Sequence, residues 1–359
     1  MISRRSILIA GGAAAIAGGG ALMLNRGPDY DAATAALWSH RDPAEFMGLV
    51  HYTTLAANSH NAQAWRFRRT TEGVAILPDM ARALPVADSD HHHLYASLGC
   101  AAENLMLAAG AAGRSSAMEF ATNGEARIEI ALGQVGNRDG LFDAILERQC
   151  TRSDFSGRPV PRSDLSAMQV AARVAGCELL LIEDRAKIEQ VLELILAANA
   201  SQVSDPAFAE ELGSWLRFNA RAAIEMGDGL YSGCSGNPSL PTFLGRIMFG
   251  VFFKPDAEND RYARQVQSSS GLAVFVSERD DPAHWVQAGR SYQRFALQAT
   301  ALGIRHAHLN QPVEVPSVRR ELQSLLGLGN RRPDLVLRFG YAQPMPRSLR
   351  RPVRSVIAP

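Results

Sequence analysis

The sequence predicts an α+β fold in which helices pack on a sheet, and three observations support this class. Short apolar runs typical of strands are mixed with long helical patterns along the chain. An alanine-rich helical segment of the first third recurs in the last third. The chain has 359 residues and is 47% hydrophobic, so it can bury a large core in one large or two ordinary domains.

The recurring helix is the main organisational signal. The stretch Tyr95 to Gly113 aligns without gaps on Trp285 to Gly303. Both copies predict a buried helix that ends at glycine and leads into a short strand, and Asp90 and Asp281 are suitable helix starts. The aligned pairs are Tyr95 with Trp285, Gly99 with Gly289, Leu105 with Phe295, Leu107 with Leu297, Ala109 with Ala299 and Gly113 with Gly303.

Similar elements are predicted around the two copies from the periodicity of apolar residues. The first half has a hairpin (Trp65 to Thr70, Val74 to Leu77), a helix from about His92, and strands near Ala117 to Phe120 and Arg127 to Leu132. The second has strands at Glu178 to Ile182, Leu272 to Ser277 and Leu335 to Tyr341, and helices at Lys187 to Ala198 and Pro206 to Arg221.

The stretch Ala57 to Phe67 concentrates hydrogen-bonding side chains beside aromatic rings. Its donors and acceptors suit a flat heteroaromatic ligand whose edge alternates N–H and C=O groups. The alternative is an asparagine-rich turn before a hairpin. The polar candidates are Ser59, His60, Asn61 and Gln63, and the aromatic ones are Trp65 and Phe67.

Four of these residues carry a resemblance to a known family. Ser59, Asn61, Gln63 and Trp65 resemble the serine and Asn-x-Gln-Pro-Trp signature of nitroreductase-like flavoproteins, particularly the branch with the mycobacterial Acg proteins. Two prolines of that pattern are missing here, because Ala64 and Asn58 stand in their places. Proline fixes the backbone, so their loss is expected to loosen the loop.

The resemblance implies mixed, mainly antiparallel sheets flanked by helices, in two halves at residues 27–140 and 141–359. Typical members are homodimers with flavin mononucleotide (FMN) at the interface, so this chain is expected to be a monomeric pseudo-dimer of two fused halves. No second copy of the loop occurs near Val174 to Leu180. One flavin per chain is therefore expected.

A lid-like insertion is expected at about residues 226–260. A glycine- and serine-rich loop there precedes the apolar run Phe243 to Phe253, which is too apolar to be left solvated. The pair resembles the lid over the flavin region in the Acg-like proteins. The alternative is an amphipathic segment packed on the core.

Arginines are expected to hold the flavin phosphate, because the family uses cations from the beginning and end of its fold. Helical i, i+4 spacing would place Arg148 and Arg152 on one face, with the Thr151 hydroxyl beside them. Either Arg350 or Arg351 is expected to be the other arm. The alternative is that the basic terminus is solvated.

The turn Gly303-Ile304-Arg305-His306 ends the second helix copy. In nitroreductases the backbone of this turn approaches the flavin, which glycine permits. His306 and His308 alternate on a strand and so share a face. We expect them to line the flavin pocket or its wall.

The N-terminus predicts export. Arg4 and Arg5 precede an uncharged stretch that runs to Leu24, which resembles a twin-arginine signal. Residues 1–26 are therefore expected to engage the twin-arginine export machinery and to make the protein periplasmic or exported. The alternatives are an uncleaved inner-membrane anchor and a mistaken start codon.

Other chemistries find less support. A net charge of +1 gives no global attraction to nucleic acid or membrane. The four cysteines lack Cys-x-x-Cys spacing, which favours buried free thiols over a metal or redox pair. His91-His92-His93 is interpreted as a solvated helix start, with a metal site as the alternative. No Gly-x-Ser-x-Gly elbow, dinucleotide loop or P-loop is present.

The resemblance thus implies an FMN-dependent oxidoreductase that passes two electrons to a small-molecule electrophile, with no side chain required as an acid or nucleophile. An alternative is an FMN-binding or sequestering protein with little NAD(P)H-dependent turnover, since those nucleotides are not maintained outside the cytoplasm. A third is a divergent copy that has lost its flavin.

Overall fold

The computed structural model describes residues 27–359, and the predicted leader, residues 1–26, lies outside them. The described chain contains two four-stranded antiparallel sheets with helices packed on them. The α+β class with antiparallel sheets is confirmed. The first-half elements are α1 (Gly27–Leu37), α2 (Phe46–Thr54), β1 (Trp65–Arg69), β2 (Gly73–Pro78), α3 (His92–Ala111), β3 (Ser116–Ala121) and β4 (Arg127–Leu132).

The second half has more helices between its strands. Its elements are α4 (Arg162–Ala171), β5 (Cys177–Ile182), α5 (Arg185–Ser204), α6 (Pro206–Trp215), β6 (Leu216–Arg217), α7 (Ala220–Met226), β7 (Leu230–Tyr231), α8 (Thr242–Phe252), α9 (Pro255–Gln267), β8 (Gly271–Ser277), α10 (Pro282–Ala301), β9 (Arg305–His308), α11 (Gln311–Glu314), α12 (Pro316–Leu325) and β10 (Arg332–Gly340).

The two sheets have the same topology. The first has the strand order β1-β2-β4-β3 and the second β5-β8-β10-β9, and all neighbours within each sheet are antiparallel. In each sheet a long helix connects the second strand to the third in chain order: α3 links β2 to β3, and α10 links β8 to β9. The helix repeat seen in the sequence is therefore embedded in a repeat of the whole strand-and-helix unit.

The two repeated helices cross at their shared glycine. A Cβ at Gly99 would overlap the carbonyl oxygen of Val286, and a Cβ at Gly289 would overlap that of Ala96. These two contacts are reciprocal, because the repeat aligns Gly99 with Gly289 and Ala96 with Val286. Glycine is needed here because the backbones approach too closely for any side chain. The crossing lies in the main hydrophobic core.

The strands follow their apolar patterns. In β1, Trp65 and Phe67 are buried while Arg66 and Arg68 point outward, the alternation of a strand with one buried face. In β8 every residue from Gly271 to Ser277 is buried, because the strand lies between β5 and β10 with helices on its faces.

One predicted helix is wrong. The helix expected over Pro206 to Arg221 ends at Trp215, and Leu216 and Arg217 form a short strand parallel to β7. The Arg217 guanidinium is anchored 2.6 Å from the Asp228 carboxylate, which holds the segment extended. This tertiary contact overrides the local helical pattern.

The C-terminal tail returns to the first half. Ile357 forms a parallel bridge with Phe67, and the Ala358 amide donates a 2.8 Å hydrogen bond to the Phe67 carbonyl. The tail thus covers the free edge of β1. Among residues 27–359, no helix is both long and apolar enough to cross a membrane.

Candidate functional site

The polar loop before β1 has a strained backbone. Four non-glycine residues of the described chain have positive φ, and three of them are His60 (48°), Asn61 (52°) and Gln63 (55°). Such conformations cost about 1–3 kcal/mol each and concentrate at functional sites. The loop holds its shape partly through Asn58, whose side-chain oxygen accepts a 2.9 Å hydrogen bond from the Gln63 amide.

The C-terminal tail fastens this loop. Arg350 is buried and donates to the Thr54 carbonyl (2.8 Å) and to the Asn61 side-chain oxygen (2.9 Å). The Asn61 amide group donates in turn to the Leu349 carbonyl at 3.0 Å. Burial lowers the pKa of Arg350 to about 9. Hydrogen bonds to backbone and side-chain oxygens thus surround this guanidinium.

Gln63 is tied to the tail in the same way. Its side-chain oxygen accepts from the Arg351 amide (2.8 Å), and its nitrogen donates to the Gly227 carbonyl (2.9 Å). The Arg351 guanidinium reaches the Gln63 carbonyl and lies 3.6 Å from the Asp79 carboxylate. The structure therefore brings together Asn61, Gln63, Arg350 and Arg351, but these residues bond to one another and join the loop to the tail. We call these four residues the clasp.

A cavity of about 520 Å³ lies on the other side of the loop. This volume falls within the range of roughly 300–1,000 Å³ of small-molecule sites. Of the thirteen residues predicted to bind the cofactor, three line it: Ser59, His60 and Arg152. The Arg152 side chain makes no hydrogen bond or ion pair with the described residues, although its carbonyl accepts one from Gln265.

The roof of the cavity comes from the predicted lid. Helix α8 contributes Met248, Phe249 and Phe252, and Phe253 follows it. Gly245 lets this helix approach the Phe218 ring. The expectation that the apolar run is fully covered is wrong: Phe243 is 70% and Ile247 58% exposed. The helix is apolar on both faces, and only one can face the cavity.

The floor of the cavity is polar. His93 Nε2 lies 3.2 Å from Glu314 Oε1, and Glu314 Oε2 accepts a 2.7 Å hydrogen bond from Gln202. His60 also lines the floor, its Nδ1 makes no hydrogen bond to a described residue, and burial lowers its pKa.

The interpretation of the three histidines as a solvated helix start is wrong. His92 and His93 are buried, and His92 Nε2 lies 2.9 Å from Asp334. Asp88 caps the helix by accepting 2.8 Å hydrogen bonds from the His93 and Leu94 amides. The start of α3 packs between the two halves, where no local pattern reveals burial. Within residues 27–359, no group of three or more His, Cys, Asp or Glu side chains could hold a metal ion.

The pair His306 and His308 shares one face of β9, as predicted. The Tyr292 hydroxyl lies 3.2 Å from His306 Nε2 and 3.0 Å from His308 Nε2. Tyr292 and His308 line the cavity, whereas His306 lies behind them. Burial lowers the pKa of His306 and raises that of Tyr292, so both favour their neutral forms.

The helical face proposed for Arg148 and Arg152 is wrong. This segment is not helical, because Cys150 forms a bridge with His306 and the Thr151 amide donates to the His306 carbonyl. Arg148 is buried and donates to the Leu55 carbonyl at 3.1 Å. Thr151 is buried, and its hydroxyl donates to Gln149. The two arginines therefore point to different surroundings.

The remaining candidates lie away from the cavity lining. Gly303 is exposed with φ of 71°, and Ile304 is fully buried in the main core. Trp65 packs beside Phe67 with ring centroids 6.2 Å apart. Its Nε1 makes no hydrogen bond to a described residue. Of the cysteines, Cys100 and Cys234 are buried, and Cys150 and Cys177 are half-buried.

Sequence reasoning missed the cavity residues His93, Gln202, Arg261 and Glu314. They come from four different helices, so no spacing along the chain connects them. A larger, more open groove of about 910 Å³ lies at one end of the first sheet, where residues of all four of its strands line it. Its cations are engaged, since Arg114 donates to the Leu132 carbonyl and Arg69 lies over the Phe46 ring.

No known family model matches the chain. The chain is 25% identical to a Mycobacterium tuberculosis protein named Putative NAD(P)H nitroreductase, over 90% of this chain and 94% of that protein. A second relative from that organism, Putative NAD(P)H nitroreductase acg, is 25% identical over 86% of this chain and 93% of the relative. The chain is thus similar to nitroreductase-like proteins over most of its length.

Solved structures resemble a little over half of the chain. An FMN-bound nitroreductase of Bacteroides fragilis is 17% identical with a TM-score of 0.36, covering 57% of this chain and 90% of that one. Iodotyrosine deiodinase bound to FMN and 3-iodo-L-tyrosine is 16% identical with a TM-score of 0.38, covering 59% and 95%.

Proposed function

We propose that this protein is an FMN-dependent oxidoreductase of nitroreductase type, which reduces a small electrophile by two electrons. The observation that carries the proposal is the 520 Å³ cavity, where the strained loop, Arg152 and an apolar helical roof meet. Its support from sequence is the similarity over most of the chain to two mycobacterial relatives named as nitroreductases.

The groups around the cavity fit FMN. The phosphate needs a cation, and Arg152 lines the cavity without a partner among the described residues. The ring and ribityl chain need hydrogen-bond partners, and four buried side-chain atoms of cavity-lining residues lack one in the described chain: His60 Nδ1, His93 Nε2, His308 Nδ1 and Gln311 Oε1. Ser59 adds a hydroxyl. Aromatic side chains of the roof provide apolar contact for a flat ring.

FMN when bound supplies the two-electron chemistry. The chain would position it: Ser59 and His60 of the loop and Arg152 line the cavity, and Arg152 would hold the phosphate. The loop itself is held in place by four residues that do not line the cavity: Asn61, Gln63, Arg350 and Arg351. The lid helix α8 covers part of the cavity with apolar side chains, which would limit the access of water to a bound flavin.

The repeated topology supports a pseudo-dimeric organisation. Each half would take the place of one subunit of a homodimeric nitroreductase, with the reciprocal α3–α10 crossing between them. Because the polar loop occurs in the first half alone, one cofactor per chain is proposed. Equilibrium sedimentation of the purified protein should show a monomer of 38.8 kDa.

The test is reconstitution with FMN. The purified full chain should acquire the visible absorption of a bound flavin at about one equivalent. Arg152→Gln should weaken binding at least tenfold through loss of a charge-assisted bond worth about 1.5–3 kcal/mol. Arg162→Gln is the matched control, because Arg162 is exposed at the start of α4. A wild-type chain that binds no flavin would overturn the proposal.

A flavin-sequestering protein is the second candidate, favoured by the apolar roof that α8 places over the cavity. The FMN-loaded protein should be mixed anaerobically with NADH, NADPH or dithionite. Bleaching by dithionite alone would support sequestration and exclude nicotinamide-dependent turnover. Bleaching by either nucleotide would support the enzyme.

We also propose export through residues 1–26 by the twin-arginine machinery, with retention as an inner-membrane anchor as the other outcome. The support is the Arg4-Arg5 pair before the uncharged stretch. Cell fractionation should place the wild type in the periplasm or membrane, and replacement of both arginines by lysine should leave the protein in the cytoplasm.

A further inference from the structure

The cavity floor carries a carboxylate–imidazole pair that flavin binding alone does not require. His93 and Glu314 lie on α3 and α11, separated by 221 positions in sequence, and their side chains are 6% and 16% exposed. His93 Nε2 faces Glu314 Oε1 at 3.2 Å, while Gln202 donates to Glu314 Oε2 at 2.7 Å. The carboxylate is thereby held between two partners.

The surroundings of the pair favour its ionised form. Burial opposes the imidazolium, but the Glu314 carboxylate 3.2 Å away, together with Asp88, outweighs it and raises the pKa of His93; Arg332 opposes. Burial likewise opposes the Glu314 carboxylate, but His93 and Gln202 outweigh it and lower its pKa. His60, the other histidine on the floor, keeps a lowered pKa because it is buried.

One ring nitrogen of His93 is left for chemistry. Nε2 lies 3.2 Å from Glu314 Oε1 in an ion pair without the alignment of a hydrogen bond, and no residue of 27–359 is hydrogen-bonded to Nδ1. His93 lines the cavity, so a ligand on the floor can reach its ring. An imidazole oriented by a carboxylate on one nitrogen, with the other directed at a reactant, is the arrangement of a general acid.

We propose that His93 is the proton donor for reduction in this cavity and that Glu314 is the positioning residue that keeps it protonated. This rests on the proposed function, which supplies a hydride donor of the reduced-flavin class. A neutral aromatic electrophile such as a quinone serves as the probe substrate for this proton transfer. Its flat apolar body would contact the roof residues Met248, Phe249 and Phe252, and its reducible oxygen would face the floor.

The step balances as follows for a quinone. A hydride from the reduced-flavin donor, which is thereby oxidised by two electrons, adds to one quinone oxygen, and the displaced π electrons leave the second oxygen as a phenolate. His93 transfers its proton to that oxygen, so the O–H bond forms as the N–H bond breaks. The product is the hydroquinone, and neutral His93 takes a proton from water before the next turnover.

The first test needs no flavin. Imidazole NMR titration of the full chain, with His93 assigned by comparison with His93→Gln, should show its pKa above the ordinary value. Glu314→Gln should lower this pKa by about one unit or more, the size of effect expected from an adjacent charge. If Glu314→Gln leaves the titration unchanged, the pair is not ionised and the proposal fails, whatever the fate of the flavin.

The second test follows oxidation of the dithionite-reduced, FMN-loaded protein by 1,4-benzoquinone across pH 5.5 to 9. The wild-type rate should fall as pH rises through the pKa of His93. His93→Gln should be about 100-fold slower with a flat profile, the lower end of the usual contribution of a general acid. Glu314→Gln should move the break to lower pH.

The control is His284→Gln on α10. His284 is also paired with a carboxylate, with Nδ1 2.8 Å from Asp281, but it does not line the cavity. It should leave the rate and profile unchanged. A flavin-loaded His93→Gln variant with wild-type rate and pH profile would overturn the proton donor. A wild-type chain without flavin would instead overturn the proposed function, and the NMR titration would still decide the state of the pair.

Discussion

Two turns lie at corresponding places before the two sheets. Both contain residues with positive φ, but the residue types differ. Before β1, the loop places His60, Asn61 and Gln63 at positive φ. Before β5, the turn places Gly176 at φ of 82°, a conformation that glycine adopts at little cost. The first half thus keeps side chains where the second has none.

The difference identifies the half that carries the strained loop of the site. Side chains held at positive φ require support from the surrounding structure, and the first-half loop receives it from Arg350 and Arg351 of the tail. The turn at Gly176 needs no such clasp. The topology is therefore repeated, while the strained loop occurs in the first half and residues of both halves line the cavity beside it.

The clasp gives the largest expected effect. Arg350→Met should lower the free energy of unfolding by about 3 kcal/mol or more, because it leaves Asn61 and the Thr54 carbonyl without their buried donor. Urea unfolding of the full chain measures the change. Arg354→Met is the matched control, since Arg354 is an exposed arginine of the same tail. Equal midpoints for the two variants would show that the clasp does not support the loop.

The helix crossing tests the symmetric part of the comparison. Gly99→Val and Gly289→Val should each destabilise by roughly 1–3 kcal/mol or more, because each adds atoms where a backbone carbonyl already lies. The two losses should be similar, since the contacts are reciprocal. Gly250→Ala in α8 is the control: its Cβ meets open space, so it should stabilise by about 0.5–1 kcal/mol. Thermal unfolding measures both losses of stability. Clearly unequal losses for the two valine variants would contradict a reciprocal crossing.

Exchanging the residue types at the two turns tests the strain directly. His60→Gly should stabilise the fold by up to about 1 kcal/mol, because glycine adopts φ of 48° without strain, yet it should weaken FMN binding. Gly176→Ala should lower the free energy of unfolding by about 1–2 kcal/mol. Alanine would have to adopt the backbone φ of 82°, and its Cβ would lie 3.2 Å from the His284 ring. A destabilised His60→Gly would mean that contacts of the imidazole outweigh the backbone strain.

The smallest expected effect is the pH dependence of the stability that His93 and Glu314 contribute. Glu314 has a lowered pKa, so its stabilisation is present above the unfolded value of 4.5 and is lost as pH falls through the folded value. His93 has a raised pKa, so its stabilisation is complete below 6.5 and is lost as pH rises through the folded value. Glu314→Gln should therefore destabilise most between pH 4.5 and 6.5, and less at pH 9. Asp281→Asn, at an exposed pair, should show a smaller maximum.

Much of the fold was predictable from local pattern. The strands at Trp65 to Thr70 and Leu272 to Ser277, and both copies of the repeated helix, lie close to their predicted positions, since apolar periodicity reflects which side chains face the core. The helix expected over Pro206 to Arg221 could not be predicted correctly in this way, because an ion pair between Arg217 and Asp228 ends it. No residue near Trp215 signals that contact.

The candidate site was predictable only in part, for a similar reason. The polar loop stood out because its residues are adjacent in sequence, and Ser59 and His60 do line the cavity. Which loop residues face the ligand depends on the tail, which occupies Asn61 and Gln63 from the far end of the chain. The contrast between Arg152 and Arg148 likewise depends on the Cys150–His306 bridge.

By itself the sequence determined the α+β class, the repeated helix and the place of the polar loop, because these depend on the pattern of neighbouring residues. Tertiary structure alone decided that the repeat extends to the whole sheet, that two arginines of the tail clasp the loop, and that His93 meets Glu314 beneath a roof of phenylalanines. The contacts of Arg350 with Asn61 and of His93 with Glu314 join segments more than 200 residues apart, and such pairings arise only when the chain packs around its core.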